Sequence, residues 1–477
     1  MRKALKNNTL NLSEASDDDL LEIEQAIPGA KYGAIGIGAV LNDFLIINRG
    51  ASVENKKKRK TLFRLISALV REWFFQATQK NIAGFKGKIA FTNISDRQHV
   101  RDLARPTMRV LGPDRCALVA HCSSDGAKGL DFPTTTFRTI YRTGPRMPIL
   151  AVLNFVVSCR SALKTSRFAR AMSKTDKSIT LCKLAIGLLR FHSATQWLNK
   201  TQPLAIVVEF DRNETTVPLV LAAKNCGIQV ITFQHGLMNF SYGFLPLLAD
   251  NILVWGERSR EFLLERQVPP RKIRVAGCPA VRSLSSEACD PQPEERRADR
   301  GRGVLLATGP WPLAQKIETL DAFLTLARLE QDLTLTIRTH PAEDSDFYRS
   351  QVERGLVEVV SGAEISAHES LLCADIVICA NSGFGLEAMR YGKPVIILTL
   401  GRDTLKGSSD WLDNGAAVCA TSKTELGEEI QALIGNQQYF MQRRTAGLSY
   451  IEKVYQSVGD VAATQSAKLI ESILDES

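Results

Sequence analysis

No run of this 477-residue chain is both long and apolar enough to cross a bilayer. The longest apolar stretches are residues 32–48, broken by Asn42 and Asp43, and residues 147–159. A spanning helix needs about 20 clean residues. The start, MRKALKNNTLNLSEASDDDLLEIE, meets the acidic run 17–19 before any apolar core, so it does not read as a signal peptide. Cys-x-x-Cys is missing from the ten cysteines, whose closest spacings are Cys116/Cys122 and Cys373/Cys379. Most lie in apolar runs and read as buried reduced thiols of a cytoplasmic protein, not as a disulfide framework. No His, Cys and Asp spacing suggests zinc, so neither a metal nor a cofactor is expected. G-x-x-x-x-G-K-[ST] is absent, and G-x-G-x-x-G follows no suitable strand, which argues against a P-loop ATPase and an NAD enzyme. The chain also lacks short-period repeats, which argues against a solenoid.

What is present is ordinary for a globular protein: 44% hydrophobic and 23% charged residues. At about 100–200 residues per domain, two or three domains are expected. The net charge of +9 is unevenly spread: residues 51–200 hold 28 Lys and Arg against 8 Asp and Glu, a net of +20 that leaves −11 for the rest. A field of that size suits an anionic partner: acidic lipid headgroups, an acidic or phosphate-linked saccharide, or nucleic acid. Nucleic acid is disfavoured, because the aromatics Trp73, Phe74 and Phe75 cluster on one helix and line no strand face. The basic run 56–60 leads into an amphipathic helix from Thr61. There Leu62, Phe63, Leu65 and Ile66 could join charge attraction to shallow insertion at an anionic membrane surface. The competing reading is a helix packed on its own domain.

Strand and helix patterns alternate along the chain, which predicts an α/β fold of two doubly wound, Rossmann-like domains. Residues 1–55 read as an appendage and 56–278 as the N-terminal domain. In that domain, strands are expected at KIAFTNI, CALVAH, LAIVVEF, IQVITF, NILVWG and KIRVAG. Residues 279–302, rich in Pro, Ser and charge, read as a linker. Residues 303–477 form the C-terminal domain, with strands at GVLLA, LTLTIR, VEVVS, DIVICA and PVIIL and helices at the end. Pro106 is expected to bend the helix HVRDLARPTMRVLG.

In a doubly wound sheet, ligands bind beyond the carboxyl ends of the strands. The groups there are Asp211 after LAIVVEF; Gln234, His235 and Gly236 after IQVITF; Thr308 and Gly309; Arg338 and His340 with Pro341; and Asn381, Ser382 and Gly383. All are expected to face one cleft. The Asn381–Gly385 turn opens a helix whose free N–H groups and dipole suit a phosphate, with Glu387 a turn further on for ribose hydroxyls. An Arg338/His340 pair at a strand end suits a diphosphate. His235 is the candidate base for a hydroxyl nucleophile, with Asp211 as its orienting group or as the base itself. His99, His121, His192 and His368 read as structural or surface residues.

The stretch SLLCADIVICANSGFGLEAMRYGKPVIIL resembles the donor-binding region of GT-B glycosyltransferases. Together with His340-Pro341 and Gln234-His235-Gly236, it is similar to bacterial capsule and surface-polysaccharide transferases that use CMP-sugars or CDP-polyols. The resemblance covers roughly residues 200–420. It implies a nucleotide-activated donor held by His340 and Ser382, a saccharide or lipid-linked acceptor, and a base from the N-terminal domain. The glycerol-phosphate enzymes' His corresponds to His235. A base facing a leaving phosphate held by Arg338, His340 and the Ser382 turn predicts inverting transfer without an obligatory metal, in the cytoplasm or at the inner face of the plasma membrane. UDP-GlcNAc 2-epimerases share the turn and its Glu; where they follow that Glu with an acidic residue, this chain has Ala388.

Overall fold

The computed structural model describes residues 31–32, 35–36, 55–74, 84–93, 98–121, 131–165, 173–238, 241, 243–281, 284, 302–309, 311–329, 332–341, 343–352, 355–380, 383–400 and 409–476. Nearly all of the expected linker and appendage therefore lies outside the described residues. The chain divides into two units. Unit 1 comprises Met1–Trp255, Ser259–Arg282 and Ser457–Ser477; unit 2 comprises Gly256–Arg258 and Ser283–Gln456.

In chain order, unit 1 has a small antiparallel ladder, β1 (Lys31–Tyr32) with β2 (Ile35–Gly36). Then come α1 (Asn55–Phe74), β3 (Ile89–Asn93), α2 (Gln98–Leu111), β4 (Cys116–Ala120), β5 (Thr134–Thr136), α3 (Phe137–Ile140), α4 (Ile149–Thr165) and α5 (Lys174–Thr201). β6 (Ala205–Val208), α6 (Val217–Asn225), β7 (Gln229–Phe233), β8 (Asn251–Val254), α7 (Glu257–Glu265) and β9 (Ile273–Val275) follow. Pro106 sits inside α2. Ser173 starts α5, its hydroxyl accepting from Asp176 N at 3.1 Å, and Gln202 ends it in the left-handed region at φ 46°.

Unit 2 continues with β10 (Arg302–Ala307), α8 (Leu313–Leu329), β11 (Leu333–Thr339), α9 (Ser345–Arg349), β12 (Glu358–Ser361), α10 (Ala367–Leu372), β13 (Ile376–Cys379) and α11 (Gly383–Arg390). Its last elements are β14 (Val395–Leu398), α12 (Ser409–Asp413), β15 (Ala417–Ala420), α13 (Lys423–Gly435) and α14 (Gln437–Val454). A final helix, α15 (Gly459–Asp475), belongs to unit 1.

Each unit is built on a parallel sheet. Unit 1 has seven strands in the order β5-β4-β3-β6-β7-β8-β9; unit 2 has six, β12-β11-β10-β13-β14-β15. The expected α/β class of two doubly wound domains is therefore observed. Helices cover both sheet faces, so the central strands are mostly apolar. In unit 1, Ala90, Ala117, Val119, Ile206 and Val208 pack with Trp197 and Leu219 on one face. Ile89, Phe91, Leu118, Val207 and Ile231 pack with Met108 and Ile470 on the other. In these two sheets β5 and β15 were not expected from the sequence, nor was the small β1–β2 ladder. β5 is three threonines at the sheet edge, and β15 is the four residues AVCA.

The chain's last helix lies with unit 1, whereas the sequence alone places it in the C-terminal domain. Backbone bonds Cys278 N to Ser457 O (2.8 Å) and Gly459 N to Cys278 O (3.2 Å) fix the return. Gly277, at φ +82°, makes room for it: a Cβ there would lie 2.2 Å from Ser457 Oγ. Ile470 and Ile473 then close the second face of the unit 1 sheet. Ile470→Ala should lower the stability of the chain by about 2–5 kcal/mol, because the site is fully buried between α15 and the sheet. Urea unfolding followed by circular dichroism checks it; an unchanged midpoint would mean that α15 is dispensable.

Candidate functional site

Both sheets start at an inner strand, build outward, and then return to the other side of that strand. The reversal falls between β3 and β6 in unit 1 and between β10 and β13 in unit 2. Neighbouring loops part there, leaving a crevice beyond the carboxyl ends of the strands. In unit 2 this position belongs to Thr308 and Gly309 after β10 and to Gly383 at the start of α11. In unit 1 it belongs to Thr92 and Asn93 at the end of β3 and to Glu209 after β6.

The unit 2 loops are held by a carboxylate that the sequence reading missed. The side chain of Glu343 is 1% exposed. Its Oε1 pairs with Lys316 Nζ at 2.6 Å and accepts from Tyr348 OH at 3.2 Å. Its Oε2 accepts from the Thr308 hydroxyl, which in turn accepts from His340 N at 3.0 Å. Glu343 N donates to His340 O at 2.8 Å. One buried carboxylate thus fixes both ends of the His340-Pro341 turn and the Thr308 strand end. Burial, together with the Glu343 charge, raises the Tyr348 pKa, keeping its hydroxyl a neutral donor. Gly309 is required by packing: a Cβ there would lie 2.7 Å from Trp311 Nε1.

Arg338 is buried, and the structure commits most of its donors. Nε donates to Ser370 Oγ at 3.1 Å, and Nη2 donates to Ile365 O at 3.0 Å. Its guanidinium carbon lies 5.2 Å from the centre of the Phe384 ring, in the first turn of α11. Burial lowers its pKa from the usual arginine value. The side chain therefore acts first as a brace between the 362–370 segment and the start of α11. Asn381 and Ser382 lie outside the described residues. Among the described residues, a Cβ added to Gly383 would meet nothing within 4 Å, which leaves the backbone at the helix start open on that side. Gly385 is there for packing, since a Cβ would lie 2.7 Å from Trp411. Glu387 points one oxygen at Arg390 Nη1 at 2.8 Å and is partly exposed.

In unit 1, His235 is the middle ring of a stack. Its centroid lies 4.0 Å from that of Phe210 and 4.6 Å from that of Phe244, with interplanar angles of 27° and 24°. Gly243, at φ +84°, borders the ring edge: a Cβ there would lie 3.8 Å from His235 Nε2. Burial between the rings lowers the His235 pKa to about 4. Asp211 is not brought to His235; no hydrogen bond joins them. Instead its Oδ2 accepts from Leu248 N at 2.8 Å and Ala249 N at 2.9 Å, clamping that segment to the end of β6. Burial raises the Asp211 pKa, and these bonds and Arg212 oppose the rise. Gln234 is likewise a strut. Its Oε1 accepts from Trp255 N at 2.8 Å, and its Nε2 donates to Gly236 O at 2.9 Å. Glu209, also missed, is 1% exposed and accepts from Thr92 Oγ1 at 2.6 Å.

Among the described residues, no group of three His, Cys, Asp or Glu is placed to hold a metal ion, and no helix is long and apolar enough to cross a membrane. No protein-family model matches the chain, and no curated protein matches it by sequence. The fold does have matches. It resembles S. aureus MnaA, solved with UDP, at a TM-score of 0.51 and 14% identity over 81% of this chain and 97% of that one. It resembles the UDP-GlcNAc 2-epimerase of Neisseria meningitidis, bound to UDP-GlcNAc, at a TM-score of 0.50 and 15% identity, covering 82% of this chain and 100% of that one. At this identity the likeness is one of fold: two Rossmann-like domains of the GT-B type.

The His235 stack has a pH signature. In the folded chain the ring is neutral down to about 4. In the unfolded chain a histidine titrates near ~6.5. As pH falls, the unfolded state binds the proton first. The stability gained from neutral His235 is therefore full above ~6.5 and is lost as pH falls from there toward the folded value. Relative to His235→Phe, which keeps a ring with nothing to titrate, the wild type should lose on the order of 2 kcal/mol across that window. Parallel pH profiles of urea unfolding measure the difference; identical slopes would show that the ring titrates as a solvated histidine.

Proposed function

We propose that the protein transfers a sugar, or a polyol phosphate, from a nucleotide-activated donor to a saccharide or lipid-linked acceptor in surface-polysaccharide synthesis. The observation that carries this reading is the unit 2 switch point. There the Glu343 network holds the His340 turn beside Thr308, and the open backbone at Gly383 begins a helix. Free N–H groups and a helix dipole suit the negative charge of a donor phosphate, and a dry, fixed frame makes such groups effective. His340, Ser382 and Asn381 would hold the phosphates, with Glu387 toward the ribose. Arg338 would contribute its positive charge from behind Phe384.

In the reaction, the acceptor hydroxyl attacks the activated carbon or phosphorus of the donor. The bond to the nucleotide phosphate breaks, and the electron pair leaves with that phosphate. His235, neutral at pH 7, is the proposed acceptor of the hydroxyl proton, with Asp211 as the alternative base. A phosphate or carboxylate arriving beside His235 would raise its pKa from about 4 toward the working range. Attack opposite the leaving phosphate inverts a sugar carbon. The protein would work in the cytoplasm, at the inner face of the plasma membrane.

The rival on the same fold is an epimerase, favoured by the identity of the structural relatives. Incubating the full chain with UDP-GlcNAc alone, and with CMP-, CDP-, UDP- and GDP-activated donors plus an extracted polysaccharide acceptor, separates the two. Transfer requires the acceptor and releases nucleotide; epimerisation needs neither. His340→Ala should abolish donor turnover, and His235→Ala should lower it by about 10²–10⁴-fold with donor binding kept. Conversion of UDP-GlcNAc without an acceptor would overturn the transfer reading.

A further inference from the structure

We propose that α1 and α4 together form a docking face of unit 1 for an anionic lipid bilayer. The sequence pointed to α1 alone and read the α4 region only as helical. The structure joins the two. Both pack on α5: Leu69 and Trp73 from α1, and Val152 and Val156 from α4, close on Ala185 and Leu189. Trp73 Nε1 donates to Met147 O, just ahead of α4, at 3.2 Å. The inner faces of the pair are therefore already occupied by unit 1.

The outer faces carry apolar side chains that unit 1 leaves uncovered. On α1 these are Phe63, Ile66 and Val70; on α4 they are Leu150, Leu153 and Val157. Each triplet has the i, i+3, i+7 spacing of one helix face. Phe63 is 72% exposed, Leu150 69% and Val157 65%. Half of the exposed large apolar side chains among the described residues lie on these two helices. Single exposed apolar residues are ordinary, but two stripes on helices that share α5 mark a surface that meets something.

Charge identifies what it meets. α1 carries seven Lys and Arg and a single acid, Glu72, which turns inward to pair with Arg190 at 3.2 Å. Residues 132–175, which include α4, contain eight Lys and Arg and no Asp or Glu. Apolar stripes on segments this rich in cations fit a bilayer of acidic headgroups, where apolar side chains insert shallowly and cations stay at headgroup level. A second copy of the chain would bring two cationic faces together, and like charges oppose that pairing. Nucleic acid would satisfy the cations and leave the apolar stripes in water.

Docking needs no donor, so its test stands apart from the transfer reading. The full chain is floated with phosphatidylcholine vesicles, with and without phosphatidylglycerol, at low and high salt. The wild type should float only with the anionic vesicles, and high salt should release it. Leu150→Glu with Leu153→Glu, on the helix that bears few cations, should reduce the bound fraction at least about ten-fold at an unchanged melting temperature. Phe63→Glu with Ile66→Glu should do the same. Should a double variant melt early, Leu153→Gln alone replaces it and should lower binding in the same direction. The proposal is overturned if the wild type ignores anionic vesicles at low salt, or if the α4 variants float as it does. It is also overturned if duplex DNA binds the wild type and the α4 variants alike and as tightly as vesicles do. Light scattering that shows a dimer dissociated by the α4 variants would equally overturn it.

Discussion

Burial of parallel strands on both faces governs this molecule. A strand covered by helices above and below must bury every side chain, so β3, β4 and β6 are buried at every residue, and the polar Thr92 and Asn93 come only at the end of β3. Polar chemistry is thereby driven to the strand ends, where the backbone leaves the sheet and loops must find partners. The reversal of strand order then selects which ends can part enough to admit a ligand. Most candidate residues, in either unit, lie at or just beyond a strand end, with Arg338 in the last residues of β11 and Glu387 one turn into α11.

At those ends, polar groups are bought out of water only by pairing, and this decides which of them can act on a ligand. Glu343 is buried with Lys316, Tyr348 and Thr308 around it, so its charge is spent in shaping the His340 turn. Gln234 is in the same position, and one oxygen of Asp211 is bonded to the backbone of Leu248 and Ala249. His235 differs, since among the described residues it is held by the Phe210 and Phe244 rings, and burial there disfavours its charged form.

The strands were legible because a doubly buried strand is an unbroken apolar run, and LAIVVEF or PVIIL can hardly be anything else. β5 was not, because three threonines at an edge carry no such run. The end of the C-terminal domain was not legible either. The helix pattern of α15 states that it buries one face, but not that the face belongs to the sheet at the other end of the chain. The position of His340 could be read from the strand before it and Pro341 after it. Glu343 could not, because its partners Thr308, Lys316 and Tyr348 meet only in the folded unit. For the same reason the pairing of His235 with Asp211, plausible from adjacent strands, gave way to a stack with Phe210 and Phe244. The cationic bias of residues 51–200 was visible as a count, but the apolar face beside it required knowing that α1 and α4 share α5.

The central claim is that the phosphates of a nucleotide-activated donor lie at the open start of α11. Calorimetric titration of the full chain with UDP, CDP, GDP and CMP, and with the matching nucleosides, tests it most directly when paired with Gly383→Asp. A Cβ at 383 meets nothing within 4 Å among the described residues, so this variant should fold as the wild type while placing a carboxylate where the phosphate is expected. The account predicts that at least one nucleotide binds the wild type about ten-fold or more tighter than its nucleoside, and that Gly383→Asp loses this preference. Equal binding of that nucleotide to both proteins, or no nucleotide binding at all, would contradict it.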